Sequence, residues 1–220
     1  MINQKIAELF KESKAQLFNI FQDLDGCLVD WDTGYKNKVL TDFPDYLSKY
    51  NLSPEEFKKL SPKQFEEEIL LNHYLHKFPE KPKAAKSAAK GAFWKPIQGD
   101  ASFWKNLQWK SDGKVLIETL NGLKYTKVIN ELNILSSPSS DPVCEPAKRQ
   151  WLVDNGISSF FDRILIFNNK YQFAEGNRFN ILIDDTEKKI DGWIAAGGTG
   201  ILHKDTRSTL QELKGILKCE

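Results

Sequence analysis

Two aspartates separated by one residue follow an apolar segment near the start of the chain, in the sequence Asp23-Leu24-Asp25-Gly26. Side chains alternate along an extended chain, so both carboxylates point in the same direction. Two carboxylates this close repel each other, and a divalent cation or protonation of one of them relieves the repulsion. Asp23 and Asp25 could therefore share a phosphoryl-transfer reaction, in which one carboxylate attacks phosphorus and the other protonates the leaving oxygen.

The same four residues also suit a simple turn, because Asp and Gly are common turn residues. A calcium-binding loop is excluded, since no acidic residue follows at the spacing that such a loop requires. Taken alone, this segment leaves both the turn and the catalytic pair open.

Three further polar groups follow apolar segments later in the chain. Ser136 and Ser137 offer hydroxyls and backbone amides to phosphate oxygens, although Ser-Ser-Pro also suits an ordinary loop. Lys170 could neutralise a phosphate and a nucleophile together, although loop lysines are common. Asp184 and Asp185 end an apolar strand, which is costly unless a cation or hydrogen bonds compensate them. Mg²⁺ prefers such oxygen ligands.

The elements that must position these groups are predicted strands separated by helices. Helical patterns lie near residues 113–122, 146–155 and 187–196, and strands that alternate with helices indicate a parallel sheet covered on both faces. Ligands of such sheets bind beyond the carboxyl ends of the strands, which is where the four polar groups lie. The apolar, β-rich segments are Leu17 to Phe21, Val128 to Leu135, Arg163 to Phe167, Phe179 to Ile183 and Thr199 to Leu202.

Residues 31–109 interrupt this alternation with helical patterns. We expect them to form a mostly helical cap, inserted into an α/β core made of residues 1–30 and 110–220. The predicted cap helices lie near residues 34–50 and then run from two helix starts, Ser53-Pro54-Glu55-Glu56 and Ser61-Pro62-Lys63-Gln64, to about Lys77.

The composition of the chain argues against several classes of protein. The 220 residues include 31 basic and 30 acidic ones, a net charge of +1, so no global charge attracts nucleic acid or an anionic membrane. Three widely spaced cysteines favour a reducing compartment. The charged amino terminus lacks the features of a signal peptide, and no apolar run could span a bilayer. We therefore expect a cytoplasmic protein without a membrane partner. The lysine-rich segment 81–95 fits either a polyanion contact or a solvated helix.

The ordered set of motifs resembles the haloacid dehalogenase (HAD) superfamily of phosphohydrolases. DLDGCLVD, ILSSPS, Lys170 and ILIDD carry this resemblance. It implies a Rossmann-like three-layer sandwich with a parallel sheet of about five strands and a helical cap after the first strand. Within the superfamily the chain is most similar to the 5′(3′)-deoxyribonucleotidases, through Trp31, the Ser-Pro after the second motif, and the segment Glu145–Trp151.

The resemblance implies roles for the four aspartates. Asp23 corresponds to the nucleophile that forms an aspartyl-phosphate, and it also binds the metal. Asp25 corresponds to the general acid and base, and its backbone carbonyl is a metal ligand. Asp185 corresponds to a direct ligand of Mg²⁺, and Asp184 to a ligand that acts through water. Superfamily ATPases and dehalogenases lack an aspartate at the position of Asp25, so this residue favours phosphoester hydrolysis.

The remaining roles concern the substrate. The resemblance implies that Ser136, Ser137 and Lys170 bind the phosphate, and Lys148 is a second candidate cation that also fits a solvated helix position. Trp31 is the candidate for a base contact, because bases stack on aromatic faces, although such rings also join a cap to a core.

These observations predict a Mg²⁺-dependent phosphomonoester hydrolase for a small molecule, with (deoxy)nucleoside monophosphates as the favoured substrates. Two alternatives remain. The first is a phosphatase for a sugar phosphate or, less favoured, for a phosphorylated nucleic-acid end. The second is a binding protein that kept the fold without turnover.

Overall fold

The computed structural model describes residues 18–218, and within them five strands form one parallel sheet in the order β3-β2-β1-β4-β5. This confirms the predicted α/β fold class. The strands are β1 (Asn19–Gln22), β2 (Glu131–Ser136), β3 (Arg163–Ile166), β4 (Asn180–Asp184) and β5 (Thr199–Leu202).

The strand bounds differ from the predicted ones by up to three residues. The largest difference is at the start of β2, which begins at Glu131 rather than Val128. The preceding helix ends in a turn in which Lys127 has φ +61° and the Val128 amide donates to the Leu123 carbonyl, so the chain first bonds toward β1 at Asn130, whose amide donates to the Phe18 carbonyl. Leu17, the first residue of the predicted first strand, lies outside the described residues, as does the amino-terminal segment before it.

Helices connect the strands, and long apolar side chains fill the space between them and the sheet. Phe21 of β1 and Leu182 of β4 pack with Trp193, which is fully buried. The connecting helices are Gly113–Tyr125, Cys144–Asp154 and Glu187–Ala195, with short 3₁₀ turns at Ser158–Phe160 and Lys170–Phe173, and a last helix, Thr206–Lys218, follows β5. They are the covering layers that strand–helix alternation predicts.

The chain divides into two compact units, Met1–Asp30 with Leu107–Glu220 and Trp31–Asn106. Residues 107–109 therefore belong with the sheet, whereas the sequence interpretation assigned them to the cap. The reason is backbone pairing, since Trp109 forms an antiparallel bridge with Val29.

The unit Trp31–Asn106 is helical. Both predicted helix starts carry capping boxes, at Ser53 and Ser61. The helix expected over residues 34–50 is instead Trp31–Asp42 followed by a 3₁₀ turn, because Pro44 disfavours helical geometry in the residue before it. The unit's elements are Trp31–Asp42, Leu47–Tyr50, Pro54–Lys59, Pro62–Gln64, the π-helical Phe65–Leu70, Leu71–Lys77, Pro82–Trp94, Lys95–Ile97 and Ala101–Lys105.

The lysine-rich segment forms the helix Pro82–Trp94, which buries Ala85, Ala89 and Phe93 on one face and leaves its lysines exposed. Among residues 18–218, no helix is both long and apolar enough to cross a membrane.

Candidate active site

The carboxyl ends of three adjacent strands bring the predicted polar groups to one edge of the sheet. Gln22, the last residue of β1, pairs with Ile134 of β2 on one side and Ile183 of β4 on the other. Asp23, Ser136 and Asp184 therefore lie near one another at the carboxyl edge of the sheet.

Asp23 is buried and held between cations. The Lys170 Nζ lies 2.9 Å from Asp23 Oδ1 and 2.6 Å from Asp184 Oδ2. Burial alone would raise the pKa of Asp23, but the positive charges of Lys170, Lys189 and Lys148 outweigh it and lower that pKa to about 2. Conversely, the two carboxylates raise the pKa of Lys170 although burial opposes this. Asp23 is therefore an ionised, partly desolvated carboxylate near neutral pH.

Asp184 and Asp185 complete an acidic cluster with Asp23. One carboxylate oxygen from each of the three lies within 4.8 Å of the others. Burial and the neighbouring carboxylates raise the pKa of Asp184, and they raise that of Asp185 to about 7, although Asp185 as a residue is exposed at the edge of the sheet. An ionised Asp23 beside two carboxylates whose ionised forms are disfavoured suits a hard divalent cation such as Mg²⁺.

The two aspartates at the end of β4 differ in their hydrogen bonds. Asp184 uses one oxygen for Lys170 and accepts the Thr186 amide at 2.9 Å with the other. Among the described residues, Asp185 accepts a hydrogen bond only from the Thr186 hydroxyl, at 3.2 Å. Among the described contacts, Asp185 therefore has the more available carboxylate.

Because Gly26 has no side chain, the Asp185 carboxylate can lie close to the backbone after β1. Its φ of +75° continues the tight turn in which its amide donates to the Val29 carbonyl at 2.9 Å. A Cβ at this position would lie 2.0 Å from Asp185 Oδ2. The glycine of the first motif thus permits the turn, and it also leaves space for the Asp185 carboxylate, which follows a different strand.

Asp25 has a separate partner. Its Oδ2 forms a short ion pair with Lys148, whose ammonium also donates to Ser136 Oγ at 3.0 Å and to the Ser137 carbonyl at 2.8 Å. Asp25 Oδ1 is buried and has no hydrogen-bond partner among the described residues. Lys148 is 2% exposed, so it is not a solvated helix lysine. The Asp25 carboxylate does not belong to the acidic cluster, and its backbone carbonyl as a metal ligand stays a prediction.

Sequence reasoning missed Lys189, whose Nζ lies 4.0 Å from Asp23 Oδ2 and 3.8 Å from Asp184 Oδ2. The available signal was its position five residues after Asp184, in the first turn of the helix that follows β4.

Trp31 belongs to the other unit, where it lies in an aromatic cluster. Its ring stacks on Tyr35 with centroids 5.2 Å apart and an interplanar angle of 14°. The ring centroids of Phe93, Trp94 and Phe103 lie 6.0, 5.9 and 6.5 Å from that of Trp31. One face of the indole is therefore used within the unit, and the contact with a base stays a prediction.

Comparisons with solved structures identify the fold. A HAD-superfamily hydrolase of subfamily IA from Geobacter sulfurreducens is 14% identical, with a TM-score of 0.52 over 90% of this chain and 96% of that one. A HAD hydrolase from Bacillus subtilis bound to magnesium is 15% identical, with a TM-score of 0.52 over 92% and 99%. A dehalogenase in an intermediate complex is 16% identical, with a TM-score of 0.51 over 92% and 97%.

No family model and no curated protein matches the chain. Its fold is similar to that of these HAD-superfamily structures, and the chain has a five-stranded parallel sheet with an acidic cluster at the carboxyl edge. These three structures are described as two hydrolases and a dehalogenase, and none is described as a nucleotidase. The similarity to the nucleotidases therefore stays a prediction.

Proposed function

We propose that the protein is a Mg²⁺-dependent phosphomonoester hydrolase that acts through an aspartyl-phosphate on Asp23. The observation that carries this proposal is the state of Asp23. Its carboxylate is buried and ionised, paired with Lys170, and within 4.8 Å of Asp184 and Asp185. A nucleophile with these neighbours faces a cation site and phosphate-binding cations at once.

In the first step, a carboxylate oxygen of Asp23 forms a bond to phosphorus, and the bond from phosphorus to the ester oxygen breaks. Asp25 enters this step with a proton on Oδ1 and gives it to the leaving oxygen, so an alcohol departs. Asp25 Oδ1 suits this transfer because no hydrogen bond among the described residues occupies it. Lys170 compensates the negative charge of Asp23 and of the phosphoryl oxygens.

In the second step, Asp25 takes a proton from water while the water oxygen bonds to phosphorus. The bond from phosphorus to the Asp23 oxygen breaks, which yields inorganic phosphate and the original carboxylate. Lys148 positions Asp25 in both steps and joins it to Ser136 and Ser137, the proposed phosphate ligands.

Asp23, Asp185 and the backbone carbonyl of Asp25 would hold the Mg²⁺, with Asp184 acting through water. When bound, the ion supplies charge neutralisation for the phosphoryl oxygens. The hydrogen bonds from Lys170 and the Thr186 amide occupy Asp184, which supports the assignment of the direct contact to Asp185.

Asp25 also supports phosphatase over dehalogenase activity, because the superfamily's dehalogenases lack an aspartate at this position. We propose nucleoside monophosphates as the substrates, on the basis of the motif resemblance. A sugar phosphate is the main alternative within the same chemistry.

The test is a phosphoester and 2-haloacid panel assayed with Mg²⁺. We expect phosphate release from nucleoside monophosphates, abolished in Asp23→Asn and reduced about 10²–10⁴-fold in Asp25→Asn. Asp191→Asn, on the exposed face of the helix Glu187–Ala195, is the matched control and should retain activity. Undiminished turnover in Asp23→Asn, or halide release in place of phosphate release, would overturn the proposal.

A further inference from the structure

The helix after β4 begins with two adjacent lysines that have different surroundings. Lys188 is exposed to solvent. Lys189 points toward the site, with its Nζ 4.0 Å from Asp23 Oδ2 and 3.8 Å from Asp184 Oδ2, and its side chain is 29% exposed. It therefore contacts both solvent and the nucleophile.

The three lysines of the site differ in how their ammonium groups are used. A lysine ammonium has three hydrogen-bond donors. Lys148 donates to Asp25, Ser136 and the Ser137 carbonyl. Lys170 contacts two carboxylates and is 1% exposed.

Lys189 stands apart from these two lysines. Its distances to both carboxylates are longer than hydrogen bonds. Among the described residues of the site, it is the lysine with donors available to an incoming anion.

The oxygens of Asp23 are divided between two lysines. Lys170 is paired with Oδ1, and Lys189 approaches Oδ2. The partly exposed Lys189 lies on the Oδ2 side of the buried Asp23 carboxylate, so an anion from solvent can reach it, whereas Lys170 is enclosed by protein.

We propose that Lys189 is a further phosphoryl-binding residue, which contacts the non-bridging oxygens of a dianionic phosphoryl group on the Oδ2 side of Asp23. This inference rests on the proposed function and adds to it a residue that determines affinity for the phosphoryl dianion. Because the contact is present in both the bound substrate and the transition state, its loss affects KM more than kcat.

The test compares Lys189→Met, Lys189→Arg and the neighbouring Lys188→Met with the wild type. We expect Lys189→Met to raise KM and the dissociation constant of inorganic phosphate about tenfold, with kcat changed less than about threefold. Lys189→Arg keeps the charge and should retain most of the affinity. Lys188→Met should match the wild type, since its side chain lies in solvent.

Calorimetric titration of the Mg²⁺-loaded protein with inorganic phosphate measures phosphate affinity without turnover. A separate titration with Mg²⁺ distinguishes a phosphate-binding role of Lys189 from a structural one. Removal of a cation near Asp23 and Asp184 should leave Mg²⁺ affinity unchanged or increased, whereas local unfolding would decrease it.

Equal phosphate affinity in Lys189→Met and the wild type would overturn the inference and leave the proposed function standing. Wild-type protein that binds phosphate but turns over no phosphoester would overturn the proposed function, and Lys189 would still be judged by the phosphate titration. Absence of phosphate binding in the wild type would overturn both.

Discussion

Replacement of Gly26 by alanine should weaken metal binding far more than it weakens the fold. The added Cβ would lie 2.0 Å from Asp185 Oδ2, where ordinary contacts are at least 3.4 Å, so the carboxylate must move by about 1.4 Å. Disturbance of the groups that orient a metal ligand typically costs about 10–100-fold in affinity. We expect at least that loss for Mg²⁺, because Asp185 is proposed to be a ligand itself.

The backbone cost of the same change is separate and smaller. An L-residue with φ near +75° costs about 1–2 kcal/mol, and the lower entropy of the unfolded alanine variant returns about 0.4–1 kcal/mol of this. The net loss of about 1 kcal/mol should lower Tm by about 2–4 °C in a chain of this size.

Gly156→Ala is the matched control for this prediction. Gly156 has φ +70°, and no atom lies within 4 Å of a Cβ built there, so this variant has the backbone cost without the collision. Isothermal titration with MgCl₂ and thermal denaturation of both variants should give similar losses of Tm but a difference of at least tenfold in Mg²⁺ affinity. Equal Mg²⁺ affinities would refute the proposed position of Asp185 at the metal.

Two further substitutions test the charges. Lys170→Met removes the shared partner of Asp23 and Asp184, which should cost about 3–5 kcal/mol of stability. Thermal denaturation should show a larger Mg²⁺-induced rise of Tm in this variant than in the wild type, and an equal rise would contradict the reasoning. Burial alone would raise the pKa of Asp100, but hydrogen bonds, first among them that from Lys38, lower it to about 2. Since this pKa lies below the unfolded value of 3.8, the stabilisation is present above about pH 4 and is lost as the pH falls toward 2. The free energy of unfolding of Asp100→Asn should therefore be lower than that of the wild type at pH 7 and should converge with it near pH 2.

The fold class could be predicted because strand and helix patterns alternate over the second half of the chain. The parallel sheet then follows from the connections, and the carboxyl ends of its strands must share an edge. The strand bounds were wrong where the end of one element sets the start of the next. The turn at Lys127, which follows the preceding helix, makes β2 begin later than predicted. The assignment of residues 107–109 failed for a related reason, since their pairing with Val29 is a contact between distant parts of the sequence.

Prediction of the site had a similar limit. Motifs at strand ends indicated which residues would meet, since sheet topology alone brings Asp23 and Asp184 together. Lys189 could not be found in this way, because which of two adjacent lysines faces the site depends on the rotation of a helix about its axis. The partner of Asp25 also depends on tertiary packing, because Lys148 reaches it across 123 residues of sequence.

The two aspartates of the first motif have different surroundings, because each is paired with a different lysine that is distant in sequence. Their spacing places both carboxylates at one edge of the sheet, which by itself would leave two equivalent groups in mutual repulsion. Lys170 pairs with the more buried Asp23, whereas Lys148 pairs with Asp25 and with the loop after β2. The Asp23 carboxylate is thus held as an anion within the acidic cluster, whereas the Asp25 carboxylate lies outside that cluster. We propose that the division between nucleophile and proton carrier follows from which lysine each aspartate contacts, and removal of the charge of Lys170 or of Lys148 should then affect the two proposed steps differently.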